Sequence, residues 1–134
     1  MAIARSNPPE LHVTAGYHHV TVVTDVRLIL LAGQCPLRSD GSVAGDDPLT
    51  QTDQIVANAL VALASVGATP DDVVRTTIYV ASSEQSVLVD VWDRLNSSPL
   101  AAAFTTASTL VGVTVLGYPG QLVELDVTAA LPHP

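Results

Sequence analysis

The sequence predicts one α+β domain of 134 residues, spanning 1–134, and three observations predict it. Runs rich in Val, Ile, Leu and Thr, punctuated by Gly, Pro and Asp, read as strands. Two other segments repeat apolar residues at three- and four-residue spacing and read as amphipathic helices. Their order, β-β-(β)-α-β-α-β-β, implies a sheet of about six strands with both helices on one face. The opposite face is left for something else to bury, and the chain is too short for a second core of ordinary size.

His18–Val23 and Arg27–Cys35 are the first two strands, joined at Thr24-Asp25 as a hairpin or meander. Pro36, Asp40-Gly41 and Gly45 mark turns, with a short strand near Val43. Asp47 can cap a helix over about 48–66, with Pro48 at its first position. Its stripe is Ile55, Ala59, Ala62, Leu63 and Val66, and Gly67 stops it. After the Thr69-Pro70 turn, Asp72–Val80 is a strand. Ser82 or Ser83 can cap a second helix with the stripe Val87, Leu88, Val91, Trp92 and Leu95. Thr105–Leu116 and Gln121–Ala129 complete the strands, separated by Gly117-Tyr118-Pro119-Gly120.

Composition narrows the function. The chain is 48% hydrophobic and 13% charged, where an average soluble domain is about 25% charged. So few charges leave too little polar surface for a monomer, which implies a homo-oligomer with apolar interfaces. The longest weakly polar stretch, Ile55–Ala68, is too short for a bilayer crossing, and MAIARSNPPE carries prolines where a signal peptide needs an apolar run. The expected compartment is cytoplasmic, with no membrane partner. Thirteen acids against five arginines give a formal charge of −8, and such a surface repels nucleic acid. The chain contains no lysine, which excludes Schiff-base chemistry and a P-loop.

Few residues suggest chemistry. Alternation in QLVELDV puts Leu122, Glu124, Asp126 and Thr128 on one side of a strand. Either these carboxylates face water, or Glu124 is partly desolvated and positions a water or shuttles a proton. His18 and His19 point to opposite faces of a strand and cannot share an ion, so no metal site is expected. One of them can line a pocket with Tyr17. Cys35 is the only cysteine and reads as a buried structural thiol. Trp92 reads as core or interface.

Three strings, LLAGQCPLRSDGSVAGDD, QTDQIVANALVALASVGATPDDVVRTTIYV and ASTLVGVTVLGYPGQLVELDV, together resemble the Rid (reactive intermediate deaminase, YjgF) family from about Tyr17 to Ala129. The resemblance implies a chorismate-mutase-like fold and a homotrimer with small-molecule clefts between subunits. It also implies hydrolysis of 2-imino and 2-enamino acids to 2-oxo acids and ammonia without a cofactor. In that family an arginine grips the substrate carboxylate and a glutamate on the last strand holds the attacking water. Carried over, the glutamate is Glu124, the strand–turn is Gly33-Gln34, and the first-strand aromatic is Tyr17 or His19.

The arginine position is taken by Ser108, beside Thr109, and the serine usual before the GQ turn is Ala32. A neutral hydroxyl holds a carboxylate less well than a bidentate guanidinium. The expectation is therefore a divergent member with weak or absent 2-imino acid deamination, acting on another small metabolite with Glu124 as catalytic residue. Ser108, Thr109, Tyr17, His19, Gly33 and Gln34 would bind substrate. The alternatives are a non-catalytic, ligand-binding or regulatory trimer, and a true 2-iminobutanoate/2-iminopropanoate deaminase.

Overall fold

The computed structural model describes residues 2–134. Six strands, β1 (Ile3–Ser6), β2 (Val20–Val23), β3 (Val26–Leu30), β4 (Val73–Val80), β5 (Ala107–Gly112) and β6 (Val123–Pro132), accompany two helices, α1 (Pro48–Ala64) and α2 (Gln85–Asn96). The main sheet has the order β3-β6-β4-β5, in which β6 is antiparallel to both neighbours and β4 and β5 are parallel. The connections β3-α1-β4 and β4-α2-β5 step across it in the same direction, so a common handedness puts both helices on one face.

Local chemistry sets the helix ends. Asp47 accepts the Thr50 N–H at 3.0 Å, and Pro48 sits where no N–H is needed. Gly67 turns the chain out of α1 at φ +78°, and the Ala68 N–H closes on the Leu63 carbonyl at 3.0 Å. The cap of α2 is Glu84 instead of a serine, and Ser82 Oγ accepts the Glu84 N–H at 3.1 Å. Ile55, Ala59 and Leu63 of α1 and Val91 and Leu95 of α2 meet Ile78, Val80, Val123, Leu125 and Val127 of the sheet in one buried core. Each large side chain buried there contributes about 1.5–3 kcal/mol.

The two first strands do not form a hairpin. β2 pairs with β1 in a separate two-stranded sheet (Ile3↔Val23 to Ser6↔Val20), while β3 pairs with β6. Asp25 alone between them has positive φ, at 53°. A two-residue hairpin turn needs positive φ at its first central residue, or at both, so the chain crosses from one sheet to the other. Near Val43 there is one bridge, to Leu37, and no strand. β5 stops at Gly112 because its partner β4 ends at Val80, whose carbonyl takes the Val113 N–H at 2.8 Å. β6 runs on to Pro132 because β3 offers it partners down to Val26.

The QTDQIVAN segment is structural. Gln51, fully buried, donates to Gly45 O (3.2 Å) and Gly120 O (2.9 Å) and accepts from the Leu122 N–H (2.7 Å). Asn58 donates to Cys35 O (3.0 Å) and Leu37 O (2.9 Å). The helix thereby holds both the turn before β6 and the loop after β3.

Candidate functional site

Glu124 lies on the face of β6 turned away from the helices, opposite Tyr79 of β4. One carboxylate oxygen, Oε1, accepts from Gln121 Nε2 at 3.1 Å and from the Cys35 thiol at 3.4 Å. The other, Oε2, stands over Gly33 in the space a β-carbon would fill, so this close approach needs glycine there. Cys35 is half-buried, not buried, and touches the carboxylate. Its thiol is pushed up to about 11 by burial first, and then by the hydrogen bond and charge of Glu124.

Gln34 is pinned by its main chain. Its N–H reaches Leu125 O at 2.7 Å and its carbonyl accepts the Leu125 N–H at 3.0 Å, while its side chain folds back to Ala32 O. This clamp sets the Gly33 turn beside Glu124.

The same face carries Arg75, Thr77 and Tyr79 of β4 and Ala107 and Thr109 of β5, by the alternation of paired strands. Arg75 Nη2 donates to Thr109 Oγ1 at 2.8 Å. Tyr79 donates its hydroxyl to Asp126 at 3.2 Å. Burial, then the Asp126 charge and hydrogen bond and the Glu124 charge, raise the Tyr79 hydroxyl above its ordinary range, and Arg75 opposes them. Leu28 and Leu30 of β3, 58% and 74% exposed, form an apolar border.

Ser108 is on the other side. Its hydroxyl accepts from Thr76 at 2.6 Å and contacts the Thr106 carbonyl at 3.2 Å, beneath the helices. With Tyr17, Trp92 and Leu110 it lines a cavity of about 240 Å3. Tyr17 and Trp92 meet edge to face at 6.3 Å, and Trp92 packs in the same way on Phe104 at 6.0 Å. Trp92 thus joins the core and walls the cavity. His19 stands behind Tyr17 at 6.0 Å, its Nε2 on the His12 carbonyl, whereas His18 is bound to the Thr105 carbonyl.

The predicted residues therefore fall into two groups within one chain: Glu124, Gly33, Gln34 and Thr109 around the open face, and Tyr17, His19 and Ser108 around the aromatic cavity. Another arginine could stand in for the missing one, but nothing in the sequence pointed Arg75 at the site, although the alternation Arg75, Thr77, Tyr79 was an available signal. Gln121, only three residues from Glu124, and the Cys35–Glu124 contact were missed, and nothing local marks the latter.

The model of the endoribonuclease L-PSP family matches residues 9–131. Among solved structures, the chain is similar to YyfB of Yersinia pestis, a conserved Rid family protein of unknown function, at 30% identity. That match covers 98% of this chain and 100% of the other with a TM-score of 0.85. YyfA of the same organism, also of the Rid family, is similar at 27% identity over 97% and 100% of the chains, with a TM-score of 0.67. Rv2704 of Mycobacterium tuberculosis, from the YjgF/YER057c/UK114 family, is similar at 28% identity over 96% and 99%, with a TM-score of 0.63. Among curated proteins none matches the chain. A strand order, a helix pair and a family match over residues 9–131 agree, and the chain belongs to the Rid/YjgF (endoribonuclease L-PSP) family.

Proposed function

We propose that this cytoplasmic Rid-family protein acts on a small, labile metabolite of the imine or enamine class, in a cleft between subunits of a homotrimer. Glu124 holds the attacking water or carries the proton. The observation that carries this reading is the separation of the two residue groups by the sheet. A ligand can touch both the Tyr17–Ser108 cavity and the Glu124 face only if a second copy brings one to the other, and exposed Leu28 and Leu30 give that copy apolar surface to cover.

For an imine the balance is simple. Water adds to the electrophilic carbon as Glu124 takes one of its protons and passes it to nitrogen; the hydroxyl of the resulting carbinolamine then gives up its proton, which Glu124 also carries to nitrogen, and the C–N bond breaks to give a carbonyl compound and ammonia. Tautomerisation or cyclisation uses the same carboxylate as proton carrier. Such steps need no cofactor.

Ordinary 2-imino acid deamination is weak or absent in this reading. Ser108 offers a hydroxyl already engaged by Thr76, Ala107 and Thr109 of β5 carry no guanidinium, and that of Arg75 on the same face is already donating to Thr109. The net charge of −8 also disfavours RNA as substrate.

The test is ammonia release from freshly generated 2-iminopropanoate by the wild type beside Ser108→Arg, Ala107→Arg and Glu124→Gln. A slow wild type and a gain in either arginine variant, lost again with Glu124→Gln, support the reading. Efficient wild-type turnover makes the protein an ordinary imine deaminase. Ligand binding without turnover of any imine or enamine makes it a regulatory trimer.

A further inference from the structure

The two oxygens of Glu124 have different surroundings. Oε1 accepts two donors, the Cys35 thiol at 3.4 Å and the Gln121 amide at 3.1 Å, whereas Oε2 faces the space left by the missing side chain of Gly33. Both donors are themselves held. Gln121, 4% exposed, also binds Val123 O (3.0 Å) and accepts the Tyr118 N–H (3.1 Å). The Cys35 main chain is tied to Asn58 of α1 at 3.0 Å. A carboxylate on a three-bond stem is otherwise free to turn, and two donors converging on one oxygen fix its plane.

We propose that Cys35 and Gln121 are positioning residues that commit Oε1 of Glu124 to the protein and leave Oε2, above Gly33, as the oxygen that meets a ligand. This rests on the role given to Glu124 above and deepens it. Because an ionised carboxylate only accepts, the ligand group met by Oε2 is a donor: water, a hydroxyl or an N–H. Cys35 is not the nucleophile of this site. Its thiol, at about 11, keeps its proton at neutral pH and goes on donating to Oε1.

Cys35 is the only cysteine, so every thiol adduct reports on this site. The experiment follows iodoacetamide alkylation across pH for the wild type, Glu124→Gln and Gly33→Ala. The charged group that bears on the thiol is Glu124. The wild-type midpoint is expected near 11, and both variants move it down, Glu124→Gln by removing the charge and Gly33→Ala by driving the carboxylate away with its β-carbon. The rate at pH 8 then rises, since the gain in thiolate exceeds its loss in nucleophilicity, but by less than the roughly tenfold of a full return to an ordinary thiol, because burial still raises the thiol. Simple opening of the site relieves burial and so lowers the midpoint while raising the plateau rate, whereas loss of the charge alone lowers the midpoint without raising the plateau. A midpoint unmoved in Glu124→Gln overturns the proposal.

Wherever turnover is found, Cys35→Ser keeps the donor and is expected to keep kcat, whereas Cys35→Ala lowers kcat about tenfold at unchanged KM. Equal kcat in Ser and Ala variants also overturns it. A moved midpoint in a protein without turnover upholds the positioning and sinks the catalytic reading; turnover with an unmoved midpoint does the reverse.

Discussion

Ser108 and Thr109 are adjacent in β5 yet serve opposite sides of the sheet: Thr76 donates to the first beneath the helices, and Arg75 donates to the second on the open face. Arg75 is thus the cation that shares a face with Glu124. Whatever affinity that face has for small carboxylates depends on Arg75, and Arg75→Gln weakens binding of 2-oxopropanoate about tenfold to a hundredfold, as loss of a hydrogen bond to a charged group does. Isothermal titration checks it; unchanged affinity places the carboxylate elsewhere.

The open face offers Leu30 at 74% exposure, and the outer surface of α1 offers Val61 at 71%. The two are about equally exposed and occupy different surfaces. If copies associate through the sheet, Leu30→Glu yields monomers in light scattering at micromolar concentration while Val61→Glu leaves the assembly intact.

Asn58 is half-buried and satisfies two loop carbonyls. Asn58→Ala strands both and is expected to cost about 1–3 kcal/mol in urea unfolding. Gln51→Leu, at a fully buried site with three hydrogen bonds, costs more. A loss in Gln51→Leu no greater than in Asn58→Ala would contradict the latch role assigned to Gln51.

The raised thiol of Cys35 links to stability on the alkaline side. Folding favours the protonated thiol, so this contribution is complete below the unfolded-state value near 9 and is lost as pH rises through about 11. Between those limits the wild-type melting temperature falls more steeply than that of Cys35→Ser. Parallel curves would show that the thiol does not ionise differently in the folded protein.

Elements with their own periodicity were legible in the sequence. Asp47-Pro48 and Gly67 bracket α1, and alternation in QLVELDV places Glu124 opposite the core face of Leu125. What was illegible depends on partners far along the chain. Ile3–Ser6 is four residues with no pattern of its own and is a strand only because β2 lies beside it. The thiol–carboxylate contact joins residues 89 apart, and no local rule foretells it. Ser108 is marked by its place in a motif, but which face it takes is decided by register with β4.

The strand order has a consequence for how the protein is made. β6 is last in sequence and second in the sheet, and it alone joins β3 to β4. While the chain is still emerging from a ribosome, the two halves of the main sheet have nothing between them, and Gly33 and Cys35 wait for a carboxylate not yet synthesised. Folding of the sheet therefore waits for β6 and is dominated by contacts of long sequence separation. A chain cut before Val123 loses both the strand that makes the sheet continuous and the residue that makes the face chemical.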